Sequence, residues 1–311
     1  MNLFTREEML SKRIGVLLGG LSAEREISLK TGALSLRALL QLGYDVVAID
    51  VDQNLPKQLQ ESSIEIAFIA LHGRFGEDGR VQGLLEMLQI PYTGSGVLAS
   101  SMAIDKVITK QMLLYHKLST PGFDFMRPGD SSADLIQRCR HFPLVVKPSR
   151  EGSTIGISIA KDRDDLARGI EMATALDGTV LVEDFIDGSE LTVSVVNGDV
   201  LPIIQIIPKS GFYDYQAKYI SGDTEYLLPA PMTVKNYQLV QEAALRACQI
   251  LGCRGAARVD FMFNEGKFYC IEVNTIPGMT ETSLLPKAAQ AAGIEVPQLV
   301  EMILLDADLD K

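Results

Sequence analysis

Asp260, Glu272 and Asn274 offer two carboxylates and an amide, with Arg258 two residues before the first. They fall in two runs, 257–263 and 267–274, in which apolar and polar residues alternate. That period belongs to half-buried strands. Asn264, Glu265 and Gly266 between the runs read as a hairpin loop. A loop of that length pairs Phe263 with Lys267, Asp260 with Cys270 and Arg258 with Glu272. Arg258, Asp260, Glu272 and Asn274 then share one face. Val259, Phe261, Phe263, Tyr269, Ile271 and Val273 share the other, the natural core face. A slip of one residue would bury the carboxylates, so the register is strongly specified. The polar face suits a hard dication carrying phosphate, because Mg2+ takes oxygen ligands from one or two carboxylates, phosphates and water. A cross-strand Arg258–Glu272 ion pair beside a solvated Asp260 fits the same pattern.

Lys147 is a second candidate. The apolar run 142–148 delivers it, and Gly152, Ser153 and Thr154 follow. Glycine permits close backbone approach, neighbouring N–H groups can face an anion, and lysine adds a point charge. The spacing is not that of a Walker A loop, and a strand rather than a helix follows. An ordinary glycine-containing hairpin with an exposed lysine is the alternative. Glu183 ends the apolar residues 180–182 before a hinge at Asp187-Gly188-Ser189, and Glu190 lies just beyond. An acid there can accept from an adenine amino group or ribose hydroxyls, or it can face water. The irregular stretch 209–226 holds Phe212, Tyr213, Tyr215, Lys218 and Tyr219. A loop so long inside a compact domain reads as a lid that closes over a site. Glu24 and Glu26 open a helix, where acids commonly answer the dipole. Glu24 lies nearer a strand end, as does His72, which is otherwise read as a structural histidine.

The elements that must position these groups follow from pattern. The apolar run 13–18 ends in Gly19-Gly20 and reads as a buried parallel strand. Ser22 caps a helix over 23–42, and 46–50 and 66–71 are the next strands. This alternation predicts an α/β layer with a parallel sheet and ligands beyond its carboxyl ends. Those ends carry Gly19-Gly20 with Glu24, and His72-Gly73 with Glu77. No G-x-G-x-x-G dinucleotide fingerprint is present. The first domain closes near 91–96. A helix over 98–116 comes next, then strands over 142–148, 155–160 and 179–185, with a helix over 162–176. A hairpin joins 190–196 to 200–207 across Asn197-Gly198. A helix over 234–251 leads into the hairpin of 257–274, and a last helix starts near 284.

At 311 residues the chain has room for about two or three domains. A net charge of −11 opposes a grip on nucleic acid or an anionic membrane, but not local binding of ATP. Cys139, Cys248, Cys253 and Cys270 lack C-x-x-C spacing and read as reduced, buried residues. Residues 1–12 carry Glu7 and Glu8 without an apolar h-region, so no signal peptide is expected. No apolar run approaches the roughly 18 residues of a membrane span, so the expected location is the cytoplasm.

The motifs, in their order, resemble the D-alanine–D-alanine ligases of the ATP-grasp superfamily over nearly the whole chain. They are Gly-Gly-Leu-Ser-Ala-Glu-Arg-Glu-Ile-Ser-Leu at 19–29, Leu-His-Gly-Arg-Phe-Gly-Glu-Asp-Gly at 71–79 and Tyr-Thr-Gly-Ser-Gly at 92–96. Asp105-Lys106, Val-Lys-Pro-Ser-Arg-Glu-Gly-Ser at 146–153 and Phe-Tyr-Asp-Tyr-Gln-Ala-Lys-Tyr at 212–219 follow. Arg-Val-Asp at 258–260 and Glu-Val-Asn-Thr-Ile-Pro-Gly-Met-Thr at 272–280 complete the set.

The resemblance implies an ATP-grasp fold, α/β with an α+β C-terminal part. A Rossmann-like N-terminal domain (1–96) would precede a central subdomain (97–186) and a C-terminal one (187–311). It implies ATP as co-substrate, two Mg2+ ions (or Mn2+) and a homodimer. Lys106, Lys147 and Lys218 would hold phosphates, with Ser153 in the same loop. Glu183, Asp184, Ile186 and Glu190 would contact adenosine, although Asp184 stands where a basic residue is frequent. Asp260, Glu272 and Asn274 would bind the metals. Arg258 and the Gly278 N–H would stabilise the oxyanion. Glu24 would take the ammonium of the first D-alanine, with His72 close by, and Ser283 and Leu284 the carboxylate of the second. Glu24, Ser153 and Tyr219 would form a hydrogen-bonded trio. Tyr219, where D-lactate-using relatives carry Phe, favours an amine as second substrate over D-lactate. Phe75 stands in a loop where small residues are frequent.

Overall fold

A computed structural model describes residues 4–152, 155–208 and 224–311. Its strands form three sheets. In the first, β1 (Arg13–Gly19) lies between β2 (Asp45–Val51) and β3 (Ile66–Ile69), all parallel. β1 is buried from Ile14 onward, as expected of a strand covered on both faces. It ends where Gly19 and Gly20 turn through positive φ of 77° and 84°, which a side chain would resist. The helix Arg25–Gln41 packs on it so closely that a Cβ on Gly32 would lie 2.7 Å from a Leu18 methyl.

The second sheet has the order β4 (Phe123–Met126), β7 (Val180–Asp184), β5 (Leu144–Pro148), β6 (Ser158–Ala160) and is antiparallel. Helices Ser132–Arg138 and Arg163–Leu176 close its apolar side around Leu135, Val146, Leu166 and Val180. The third sheet runs β11 (Thr224–Leu227), β10 (Ile204–Pro208), β8 (Ser189–Val196), β12 (Ala256–Asn264), β13 (Lys267–Asn274), with β9 (Asp199–Val200) paired to β8. Helix Val234–Leu251 covers it through Val240, Ala244 and Leu251.

Several expected elements subdivide. The helix read over 98–116 is two, Val97–Ile104 and Lys106–Tyr115. Asp105 breaks it because its backbone is extended and its carboxylate accepts from the N–H groups of Val107 and Ile108, starting a new helix. The last helix is also two, Leu284–Ala291 and Val296–Leu304, parted by Gly293 at φ 81°. The second packs on helix Arg25–Gln41 and the first on β8, and Leu285, Leu299 and Leu304 join Ile14, Val16 and Leu39 in one core.

The hairpin register differs from the expected one. Glu265 and Gly266 alone form the turn, both at positive φ, and Asn264 pairs with Lys267. That is the two-residue geometry whose twist suits a hairpin. A bulge between Asp260 and Phe261 then shifts the ladder again, so Asp260 faces Glu272 and Arg258 faces Asn274. Past the bulge the four polar groups share a face, as expected. Nearer the turn Phe261 pairs with Cys270 instead of Tyr269, and Phe263 with Phe268 instead of Lys267. Ile271, expected behind the site, lines a cavity in front of it.

Candidate active site

The phosphate-type loop follows β5. Ser149 accepts from the Lys106 N–H with its carbonyl and donates its hydroxyl to Asp105, fastening the loop to a helix start. Arg150 is fixed by a two-pronged bond to Asp177. Lys106 reaches back to donate to the Glu151 carbonyl at 2.8 Å and lies 3.4 Å from Glu272. Burial pushes the Glu151 carboxyl upward, aided by Asp177. Lys147 is not the exposed lysine of an ordinary hairpin. It is 2% exposed and paired with Glu183.

These groups open onto a cavity of about 380 Å3. Lys106, Lys147, Glu183, Asp184, Ile186 and Glu190 all line it, with Asp260 and Glu272 at one end. Val145, Ile157, Met262 and Ile271 supply apolar walls. A pocket with mostly apolar walls and a few convergent polar groups suits a flat heterocycle with a charged tail. Glu183 is 3% exposed. Burial opposes its charge, but Lys110 and Lys147 more than offset this and hold its carboxyl below the usual range. Lys110 and its partner Thr120 were not singled out in the sequence. A lysine one helical turn after Lys106, inside an otherwise apolar stretch, was the available signal.

Asp260 is 7% exposed and carries four contacts. Arg258 donates to both of its oxygens at 2.9 and 2.8 Å, Thr192 at 2.6 Å and the Asn274 amide at 3.4 Å. The alternative of a cross-strand Arg258–Glu272 pair beside a solvated aspartate is therefore not what the strands build. The ion pair is between Arg258 and Asp260 along one strand, and Lys106 faces Glu272. Two carboxylates and an amide oxygen on one face remain a donor set that fits a hard dication. Among the described residues no three His, Cys, Asp or Glu side chains cluster as a metal site.

A second, smaller pocket of about 70 Å3 lies past Glu272. Glu24, His72, Arg258, Asn274, Gly278, Ser283 and Leu284 line it. Gly73 and Gly152 leave room for the Glu24 carboxylate, which a Cβ on either would approach within 2.5 and 2.9 Å. Ser22 donates to the His72 carbonyl and accepts from the Glu24 N–H. His72 is buried between Thr31, 2.9 Å from Nε2, and Glu77, 3.3 Å from Nδ1. The Met279 N–H donates to the same Thr31 oxygen. The pattern closes when the Thr31 hydroxyl donates to Nε2 and Nδ1–H to Glu77. Burial raises the Glu77 carboxyl, with His72 opposing. Thr31, two helical turns beyond Glu24, was also not foreseen. Ser283 bonds Thr280 beside Gly278, and Leu284 opens the next helix. Ser153, Lys218 and Tyr219 lie outside the described residues, as do residues 209–223 of the lid expected over 209–226, whose last three residues belong to β11.

Family models described as D-ala D-ala ligase C-terminus and N-terminus match residues 117–305 and 52–95. The chain belongs to the D-alanine–D-alanine ligase family. A D-alanine–D-alanine ligase of Syntrophotalea carbinolica is 59% identical, spanning 98% of this chain and 99% of that protein. One of Geotalea uraniireducens is 48% identical over 98% of each. The crystal structure of D-alanine–D-alanine ligase from Bacillus anthracis complexed with ATP has a TM-score of 0.82 at 37% identity, covering 94% of this chain and 96% of that one. The ATP-grasp fold expected of a D-alanine–D-alanine ligase is thus the fold of this chain.

Proposed function

We propose that this protein joins two D-alanines into D-alanyl-D-alanine with ATP, supplying peptidoglycan. Glu272 is the observation that carries this reading, because it lines both cavities. A nucleotide-sized space and a small polar pocket therefore share one carboxylate, and a phosphoryl group can pass from one to the other. The first D-alanine carboxylate attacks the γ-phosphorus of ATP, the bond to the β-phosphate oxygen breaks, and an acyl phosphate and ADP result. The amine of the second D-alanine attacks its carbonyl, and phosphate leaves as the peptide bond forms.

Lys106 and Lys147, with Lys218 and Ser153, hold the phosphates, and Glu183, Asp184, Ile186 and Glu190 the adenosine. Glu24 receives the first ammonium beside His72. Ser283 and the Leu284 N–H take the second carboxylate at a helix start, where unsatisfied N–H groups favour anions. Arg258 and the Gly278 N–H face the developing oxyanion. Glu24, Ser153 and Tyr219 link the substrate pocket to the lid. Asp260, Glu272 and Asn274 would hold Mg2+, or Mn2+, whose charge offsets that of the phosphoryl oxygens. We assign 1–96 to substrate binding and 97–186 and 187–311 to the two halves of the nucleotide grasp, in a cytoplasmic homodimer. No described helix is long and apolar enough to cross a membrane.

Phosphate release should require ATP, Mg2+ and D-alanine together. Release with another amino acid, but none above background with D-alanine, would overturn the substrate assignment. Tyr219→Phe should raise the use of D-lactate relative to D-alanine as second substrate. An unchanged ratio counts against the lid reading.

A further inference from the structure

One buried cation has no part in the roles assigned above. Lys110 is fully buried, does not line the nucleotide cavity, and stands directly behind Glu183, which does. Its ammonium lies 2.7 Å from the Glu183 carboxylate and donates to the Thr120 hydroxyl at 2.6 Å. Thr120 in turn donates to the Cys270 carbonyl at 2.8 Å, and the Cys270 N–H donates to the Ser119 carbonyl. Cys270 is the residue on β13 next to the bulge, immediately before Ile271 and Glu272. β13 is the edge strand of its sheet, and residues 119–120 take up the outward N–H and carbonyl of Cys270.

We propose that Lys110 is a positioning residue for nucleotide recognition, holding Glu183 from behind and tying it to the strand that carries Glu272. The inference rests on the ATP-binding reading of the larger cavity. Glu183 has two cations, but only Lys147 lines the cavity, where nucleotide phosphates would draw it away. Lys110, sealed from the cavity, remains as counter-charge. Burial lowers the ammonium's own pKa, and Glu183 opposes that. Without Lys110, Glu183 would keep Lys147 for itself or lose its charge, and its carboxylate would leave the position that meets the base. The chain Lys110–Thr120–Cys270 fixes that position relative to the metal-binding face of the hairpin.

The test is a double-mutant cycle on the full chain with ATP and D-alanine as substrates. Lys110→Met should raise KM for ATP by about tenfold or more, because one partner of a buried charge pair is removed, while KM for D-alanine stays within about twofold. In a Glu183→Gln background, Lys110→Met should change KM for ATP by less than about twofold, since there is no longer a charge to position. A KM for ATP unchanged in Lys110→Met overturns the proposal, and so does an equal rise in the Glu183→Gln background, which marks a general structural role. Should Lys110→Met not be recovered folded, the comparison of Glu183→Gln with Glu183→Gln/Lys110→Met decides alone. Equal KM values support the proposal, and a tenfold gap overturns it. Absence of D-alanine-dependent turnover in the unaltered protein would instead overturn the functional reading beneath it.

Discussion

On one side of Glu272, Lys110, Lys147 and Glu183 are buried together, and the one carboxylate offsets one of the two positive charges. On the other side, Thr31, His72 and the Met279 N–H are joined by hydrogen bonds that need no net charge. Two adjoining spaces of one site thus solve the burial of polar groups differently. On the proposed function the nucleotide side must receive several negative charges, and one carboxylate offsets part of the charge of the lysines already buried there until phosphate arrives. A buried cation without such a partner would be expensive to keep. On the same reading the amino-acid side must orient a small zwitterion, with Glu24 for its ammonium and hydrogen-bonded groups behind it. The contrast implies that substitutions on the two sides should act on different substrates.

The hardest test of that contrast is Asp260, which lines the larger cavity opposite Glu272, the residue both spaces share. Asp260→Asn should lower kcat by about 10²-fold or more, as expected when charge stabilisation of a transferring group is weakened. Because Arg258 and Thr192 also bond this carboxylate, some stability should be lost as well. Steady-state kinetics alongside thermal unfolding separates the two, and undiminished turnover would show that the hairpin face is not the metal site. A smaller effect is expected from Thr31→Val, which removes the oxygen shared by His72 and Met279. KM for D-alanine should rise by about fivefold, in line with a neutral hydrogen bond, and KM for ATP should hold. Equal shifts in both would erase the division between the pockets. The smallest signal is the pH dependence of Glu183. Its carboxyl is held below the usual range in the folded protein. Its contribution is therefore complete above the ordinary glutamate value of about 4.3 and fades as pH falls through the lowered one. The stability difference between the unaltered protein and Glu183→Gln should shrink with acidification, and a difference that grows would reverse the sign argued here.

Two turns explain what the sequence made legible. Asn197-Gly198 and Glu265-Gly266 both have positive φ at both residues. Asn-Gly is a strong hairpin signal and was read correctly. Glu-Gly is not, because glutamate rarely enters that region, so the pattern reads as a three-residue loop where the chain turns in two. The bulge restored the parity past Asp260, so Arg258, Asp260, Glu272 and Asn274 share a face as expected while Ile271 and Tyr269 changed sides. Periodicity reports faces; it does not report an inserted residue. Lys110 and Thr31 stayed hidden for another reason. Their importance lies in partners from distant segments, Glu183 and Met279, and only the assembled fold brings these close.

The core shared by Ile14, Val16 and Leu39 with Leu285, Leu299 and Leu304 bears on how the chain is made. During synthesis the first sheet leaves the ribosome long before residues 284–304 exist. For that interval the apolar flank of helix Arg25–Gln41 has no cover, and exposed apolar surface on a nascent chain invites aggregation or chaperone capture. A chain halted at residue 280 should accordingly be digested within residues 13–42 by a protease that spares that segment in the complete chain. Equal resistance in both would show that the first sheet closes its core unaided.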